Sequence, residues 1–400
     1  MRTEGTRPTY AGAVDATGAV RIEKLVAGGE GLARMADGRV VFVPGVVAGE
    51  LVDIEILETQ RDFARTRVTR VVEPAPQRRE PPCPRVADGC GGCDWQHIER
   101  RVQGQAKVAI VREAFERTAK MTVDPPLRRL AEDARRTTVR MASNGAGIGF
   151  RAADSHDVVP VDLCPVAHDL INELVAVPLL SGEGEVSLRV GARTGDRAAW
   201  FHEGSPVADL PAGLRSGAKA RVREVVDGAD FEVSMGSFFQ SSPEAAELIV
   251  DSVRRRLDTI DARGGRLLDA YGGVGLFAVC LADRFDDVML VESNPHACRD
   301  AVRNLADHAA IIEQAEMEHW DPTPADVVVA DPARQGLGKK GAAALVATGA
   351  SSLVLVSCDP VSAARDARLL VDAGFSLGEM EVLDIFPETH HVEVVTAFTR

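Results

Sequence analysis

Four segments in the C-terminal part of the chain, RLLDAY, DVMLVES, ADVVVADP and SLVLVSCDP, are apolar almost without interruption and end in polar or glycine residues. A strand with one wet face alternates apolar and polar positions, so runs apolar on both faces belong to a buried parallel sheet with helices packed on either side. Helical patterns separate the four runs. The first of these helices, SPEAAELIVDSVRRRLDTI, places Ser242 as N-cap and Pro243 at the first helical position. In an open sheet of this kind ligands bind beyond the carboxyl ends of the strands. The residues that close each run are therefore where chemistry is to be sought.

The other half of the chain reads differently. From Val14 to Val72 short alternating runs are broken by Gly-rich turns, which predicts a small β-barrel. The Pro-rich stretch EPAPQRREPPCP is a linker. After it, HIERRVQGQAKVAIVREAFERTA carries Val102, Ala106, Ala109, Ile110 and Ala114 at helical spacing, and mixed strands follow from Thr137 to Val233. Four hundred residues exceed one core. The expected units are a β-barrel over residues 1–74, a central mixed α+β domain over 75–232, and an α/β domain over 233–400.

No run of eighteen apolar residues occurs and the first residues, MRTEGTRPTY, lack the apolar stretch of a secretory signal, so a cytoplasmic protein without membrane contact is expected. The net charge of -14 weighs against a nucleic-acid partner. Arginine is nevertheless concentrated between Arg61 and Arg101 (Arg65, Arg67, Arg70, Arg78, Arg79, Arg85, Arg100), which leaves room for a local basic face.

In LLDAYGGVGLFA, residues 267–278, a strand runs through a Gly-rich turn into a helix, and Gly272, Gly273 and Gly275 let a ligand approach the backbone. The spacing suits a dinucleotide as well as other nucleotide cofactors, and Glu292 at the next strand end suits ribose hydroxyls in either case. Asp331 and Cys358 close the following two strands, the thiol flanked by Ser357, Asp359 and Pro360. A buried cysteine is usually filler, which accounts for Cys280 and Cys298, but a thiol at a strand exit is a candidate nucleophile. Near the C-terminus Glu393 interrupts an apolar run, where a carboxylate is either paired or placed for proton transfer, and His390 and His391 precede it as structural residues or substrate contacts. If the nucleotide cofactor is a methyl donor, then thiol, carboxylate and donor together meet one requirement. Thiolate addition at carbon 6 of uracil makes carbon 5 nucleophilic toward a sulfonium methyl, and a base must then remove the carbon 5 proton before the thiolate leaves.

With those residues assembled, the chain resembles the iron–sulfur-containing RNA uracil-5-methyltransferases over nearly its whole length. SFFQSSPEAAE resembles the segment supplying a cofactor-contacting glutamine, here Gln240. DAYGGVGLFA resembles the methyl-donor loop, with Tyr271 near the cofactor; VESN places Glu292 at the ribose; DPARQG implies Asp331 near donor and substrate. SCDPVSAARD matches the nucleophile motif and gives Cys358, and THHVE gives Glu393 as the base. The N-terminal barrel resembles the TRAM module, an OB-like RNA-binding barrel that bacterial transfer-RNA-specific members often lack, which puts 23S rRNA first and tRNA second as substrate. The implied architecture is a Rossmann-like methyltransferase domain joined to that barrel through a central cluster-bearing domain, acting as a monomer with S-adenosylmethionine. Position 272 is Gly where the family often has Cys, 242 is Ser where Asn is frequent, and 333 is Ala in place of a second Pro. Of these, only Ser242 is expected to alter contacts with the donor or the base.

Seven cysteines in a reducing compartment argue for metal or catalysis before disulfides. Cys83, Cys90 and Cys93 cluster in PPCPRVADGCGGCDWQH and Cys164 lies in VDLCPVAH, a set that suits zinc or a [4Fe–4S] cluster. The resemblance favours the cluster, in a structural role. Three rival functions leave features without a purpose: an NAD-dependent oxidoreductase does not use Cys358 and Glu393, a non-catalytic RNA-binding assembly factor has no need of the intact set, and a cytosine-5 enzyme resembles a family with a second cysteine in the segment that here reads DPARQG.

Overall fold

The computed structural model describes residues 18–145, 147–153 and 155–400, and the chain divides into two compact units, residues 1–79 and 80–400. The first is a six-stranded sheet in the order Gly18–Arg21, Leu51–Thr59, Phe63–Glu73, Val40–Val43, Gly31–Arg34, Lys24–Leu25. It curls so that the edge strand Gly18–Arg21 approaches Gly31–Arg34, enclosing Val20, Val41, Val52, Ile54 and Ala64. A carboxylate closes the curl. Glu50 is fully buried, accepts hydrogen bonds from Val47 N at 2.8 Å and Ala75 N at 3.2 Å, and pairs with Arg78 at 2.5 Å.

The arginines read as a local basic face are largely neutralised by carboxylates of their own unit. Arg65 pairs with Glu30, Arg67 with Glu55, Arg70 with Asp53 and Arg78 with Glu50, while in the second unit Arg85 meets Asp88 and Asp162. Cross-strand pairing explains this for Arg67 and Arg70, which lie on Phe63–Glu73 against the acidic strand Leu51–Thr59.

Two sheets and a hairpin build the second unit. A six-stranded sheet runs in the order Val158–Pro160, Ile148–Arg151, Thr138–Asn144, Glu183–Val190, Arg197–Glu203, Leu214–Ser216, and buries Met141, Val186 and Leu188 beneath the helix Asp169–Val175. The hairpin Arg221–Val226 and Ala229–Ser234 leads to the larger sheet. That sheet has the order Ala310–Gln314, Asp287–Glu292, Arg266–Ala270, Val327–Ala330, Ser352–Ser357, Glu393–Thr399, Ser376–Asp384, Leu127–Arg129. Its first five strands are parallel, as the continuous apolar runs require. Leu268, Val328 and Leu353 face one buried layer, Leu267, Val329 and Val354 the other. Glu393–Thr399 then inserts antiparallel between Ser352–Ser357 and Ser376–Asp384.

Strand order reverses at Arg266–Ala270, whose neighbours Asp287–Glu292 and Val327–Ala330 come from opposite directions of the winding. A crevice at the carboxyl ends follows from that reversal. The helix Pro243–Thr259 begins as its sequence predicts, with Ser242 Oγ accepting from Ala245 N at 3.1 Å and Pro243 at its start. The helix Arg100–Ala114 also forms, with Ile110 and Ala114 buried as expected, but its buried face is shifted: Ala109 is exposed, while Gln103 and Lys107 are fully buried. Among the described residues no helix is long and apolar enough to cross a membrane.

Candidate active site

The crevice at the strand reversal is a cavity of about 580 Å³, and Gln240, Tyr271, Glu292, Asp331, Cys358 and Glu393 all line it. The size suits a cofactor-sized ligand. Each side chain arrives by a local rule. Tyr271 follows the strand Arg266–Ala270 and takes φ 59°, after which Gly273 at φ 56° and Gly275 at φ 90° complete a turn that L side chains disfavour. Gly272 has a different reason to be glycine, since a Cβ there would lie 2.5 Å from Leu290 Cγ. Leu290 thus fills the space that a larger residue at 272 would need.

Below this turn Asp269, fully buried, accepts from Ala278 N at 2.9 Å and tethers the following helix, while its Oδ1 has no hydrogen-bond partner. Burial pushes its carboxyl well above the ordinary range, assisted by Asp331 and Glu292. The sequence offered one signal for it, a lone carboxylate inside an apolar strand. Glu292 ends the next strand and is fixed from both sides, by Gly273 N at 3.0 Å and Asn294 N at 2.6 Å. A second pocket of about 450 Å³ shares Tyr271, Glu292 and Ala333 with the first and is bounded by Glu316, Met317 and Lys340.

On the other wall, Gln240 Nε2 lies 3.5 Å from Asp331 Oδ2. Burial pushes the Asp331 carboxyl up to about 7. Glu393 is 4% exposed, its Oε1 has no hydrogen-bond partner, and burial followed by the charge of Asp331 raises its carboxyl well above the usual range. Cys358 leaves the strand Ser352–Ser357 directly before the helix Pro360–Asp372, whose N-cap is Asp359, its Oδ1 accepting from Ser362 N at 2.7 Å. Burial, with Glu393 and Asp331 beside it, pushes the thiol up to about 12. The wall therefore joins a nucleophilic atom to two carboxyl groups that hold protons more tightly than usual.

Phe238, Asn294 and Arg334 also line the cavity and were not singled out by the sequence, while His391, read there as a structural residue or substrate contact, lines it too. Phe238 is 72% exposed, an apolar ring at the mouth. Ser242, the departure expected to touch ligand, instead has its hydroxyl in the helix cap and is 2% exposed.

The remaining predicted residues meet elsewhere. Cys83, Cys90, Cys93 and Cys164 line one cavity of about 230 Å³, formed where the loop after the linker folds onto the six-stranded sheet. Cys90 bridges to Ala152, and Gly91 donates to Arg151 O at 3.0 Å; a Cβ on Gly91 would meet Ala153 N and Arg151 O at 3.0 Å. Burial raises the thiols of Cys90 and Cys164, and that of Cys93 to about 11. Among the described residues no group of three or more His, Cys, Asp or Glu side chains is set to hold a metal ion, so the four thiols share the wall without converging. The donor chemistry fits a thiolate-bound group. No carboxylate lines the cavity among the described residues, and Arg85, Arg136 and Arg140 do, a cationic surround for a net-negative cluster.

Comparison with known proteins adds three findings. Residues 16–69 match the TRAM domain. An uncharacterised RNA methyltransferase of Streptomyces avermitilis is 33% identical, over 94% of this chain and 96% of its own length. The 23S rRNA (uracil(1939)-C(5))-methyltransferase of Shewanella amazonensis is 29% identical, over 95% of both chains. Among solved structures, the tRNA (uracil-54, C5)-methyltransferase of Pyrococcus abyssi, crystallised with S-adenosyl-L-homocysteine, superposes with a TM-score of 0.73 at 24% identity, covering 96% of this chain and 100% of that one, which establishes a shared fold.

Proposed function

The chain belongs to the RNA methyltransferase family, and on that premise we propose that it transfers a methyl group from S-adenosylmethionine to carbon 5 of a uridine in RNA, 23S rRNA first and tRNA second. The observation that carries this reading is the convergence of Cys358, Glu393 and Asp331 on the cavity that also holds the Gly-rich turn and Glu292. A simple alkyl transfer to oxygen or nitrogen needs no thiol, and a redox enzyme leaves the thiol and Glu393 without a common task.

In this reading the methyl donor supplies an electrophilic carbon on a sulfonium, held by Glu292 at its ribose and by Tyr271 and Gln240. Cys358 releases its proton to solvent and its thiolate adds to carbon 6 of the uracil, moving the ring electrons toward carbon 5 and the carbonyl oxygen. Carbon 5 takes the methyl group. Glu393, having first lost to solvent the proton that burial favours on it, removes the carbon 5 proton, and the electron pair left behind expels the Cys358 thiolate. Asp331 and Gln240, 3.5 Å apart, offer adjacent polar groups for the edge of the base. The base must leave its stack to reach Cys358, and the exposed ring of Phe238 at the mouth suits stacking against it.

We assign RNA gripping to the TRAM-like residues 1–74, the cysteine site to 75–232 and catalysis to 233–400, in a monomer acting in the cytoplasm. Cys83, Cys90, Cys93 and Cys164 would hold a [4Fe–4S] cluster, with zinc as the alternative, and the role is structural because methyl transfer moves no electrons. Anaerobic purification tests it: bound iron with broad visible absorption supports the cluster, and a colourless, iron-free protein rejects it.

Mass spectrometry of ribosomal and transfer RNA from cells with and without the gene identifies the uridine. With undermodified RNA and the methyl donor, Cys358→Ala should give neither adduct nor product, and Glu393→Gln should trap a methylated covalent adduct. Turnover by the Cys358 variant would defeat the mechanism.

A further inference from the structure

The segment Phe386 to His391, which contributes two residues to the cavity wall and leads into Glu393, is held by residues that directly follow the cysteine loop. Asp94, next to Cys93, accepts from His390 N at 3.2 Å through Oδ1, and its Oδ2 is 2.6 Å from His390 Nδ1. Trp95 N donates to Glu388 O at 3.0 Å, and Gln103 exchanges hydrogen bonds with Glu388, donating to its carboxylate at 2.9 Å and accepting from its N–H at 3.1 Å. Lys107 donates to Phe386 O at 2.9 Å. The His390 ring lies against that of His391, centroids 4.1 Å apart, and Phe386 meets the same ring edge-on at 5.9 Å.

His391 is thereby fixed in one tautomer. Arg334 Nη2 is 2.9 Å from His391 Nδ1. A guanidinium only donates, so Nδ1 accepts and the ring proton resides on Nε2. Burial, with His390 and Arg334 beside it, pulls the imidazole down to about 4, so the ring is neutral at physiological pH. Among the described residues Nε2 has no protein partner, while the side chain lines the cavity with Cys358 and Glu393. A neutral, oriented N–H donor thus stands in the reaction cavity without an acceptor.

We propose that His391 donates this Nε2–H to a carbonyl oxygen of the uracil under attack, and that Asp94 is the positioning residue through which the cysteine loop sets the donor's place. The proposal rests on the uracil-5 reading of the cavity. When Cys358 adds to carbon 6, negative charge builds on the ring oxygen, and a donor already aimed there stabilises that state more than the bound substrate. The cysteine site then has a mechanical connection to catalysis that requires no electron transfer: its loop carries Asp94, Asp94 holds His390, and His390 packs on His391.

The test uses the full-length protein, undermodified bulk ribosomal and transfer RNA, and a tritiated methyl donor. His391→Phe, which keeps a ring but no donor, should lower kcat about 10- to 100-fold with donor affinity and metal content unchanged. His391→Gln, whose amide nitrogen replaces Nε2, should restore activity to within about threefold of wild type. Asp94→Ala and His390→Phe, which break the same link from opposite sides, should each lower kcat, and neither should add to the loss in His391→Phe. The His390 variant keeps the test valid where Asp94→Ala disturbs the cysteine loop. Wild-type kcat in His391→Phe overturns the donor; a loss confined to the KM for RNA moves it to a backbone oxygen and overturns the ring assignment; full additivity overturns the link to Asp94. A wild-type chain that methylates no uridine overturns the functional reading, and the role of His391 with it.

Discussion

Cys358 directly follows Ser357 and Glu393 directly precedes Val394, the last registered pair of two antiparallel strands, so the two residues stand at the same end of that pairing and both line the cavity. After burial, the charges of Glu393 and then Asp331 are what push the Cys358 thiol up to about 12. The free enzyme therefore keeps Cys358 as a thiol at neutral pH. Alkylation of the Cys358 peptide by iodoacetamide, followed by mass spectrometry from about pH 8 to pH 11, should be slow and still rising at the upper end. Removing a neighbouring negative charge lowers the thiol's pKa, so Glu393→Gln and Asp331→Asn should both move the curve to lower pH. Two curves coincident with wild type would refute the electrostatic account.

Asp331 titrates within the working range, pushed up to about 7 by burial. S-adenosylmethionine is cationic at sulfur and S-adenosylhomocysteine is not. A cation binds better beside an ionised carboxylate, and this carboxylate ionises as pH rises. Affinity for the methyl donor should therefore increase up to about tenfold per pH unit below 7 and level off above it. The demethylated product should show a much shallower dependence, and Asp331→Asn should flatten the donor's. Calorimetric titration at several pH values measures all three, and a donor affinity independent of pH in the wild type would contradict the placement of this group.

Gly272 and Leu290 are a matched pair, the Cβ position of one lying 2.5 Å from Cγ of the other. Gly272→Ala should destabilise the protein by about 1–3 kcal/mol through overpacking. Leu290→Ala alone removes a fully buried side chain and should cost about 2–5 kcal/mol. The double variant should lose less than the sum, since each change relieves the other. Urea unfolding of the four proteins gives the coupling, and strict additivity would show that the turn relaxes independently of Leu290.

The parts of the fold legible in the sequence were those set by neighbours along the chain. Buried parallel strands announce themselves as unbroken apolar runs, Ser242 and Pro243 mark a helix start, and Gly273 and Gly275 mark a turn of positive φ. Of the six cavity residues, Tyr271, Glu292, Asp331 and Cys358 were legible because parallel strand ends share one crevice, while Gln240 and Glu393 were legible from their motifs alone. Contacts between distant segments left no such signature. Arg67 and Arg70 looked like a basic face until the acidic strand paired with them, and Asp94 gave no hint of His390, 296 residues away. Periodicity misplaced part of the inward face of Arg100–Ala114 for the same reason, since it scores Lys107 as solvent-facing.

Lys107 is fully buried because Asp384 is buried with it, Nζ to Oδ1 at 2.5 Å, with Phe386 O as a second acceptor at 2.9 Å. Arg100 stands 3.7 Å from the other carboxylate oxygen, Oδ2, which has no hydrogen-bond partner. Burial pulls the Lys107 ammonium below its ordinary range while the carboxylate opposes that shift, so each charge is tolerable only in the presence of the other. Lys107→Met leaves a buried carboxylate with Arg100 alone and should destabilise the chain by about 3–5 kcal/mol. Lys107→Met with Asp384→Leu removes both charges and should recover much of that loss, as apolar replacements of buried pairs do. Activity should not recover in parallel. The double variant still lacks the donor to Phe386 O, so the wall segment carrying Phe386 and His391 loses one of its holds. Unfolding by urea and methylation of undermodified RNA, measured on the same preparations, separate the two effects: stability restored together with full kcat would show that Lys107 serves packing alone.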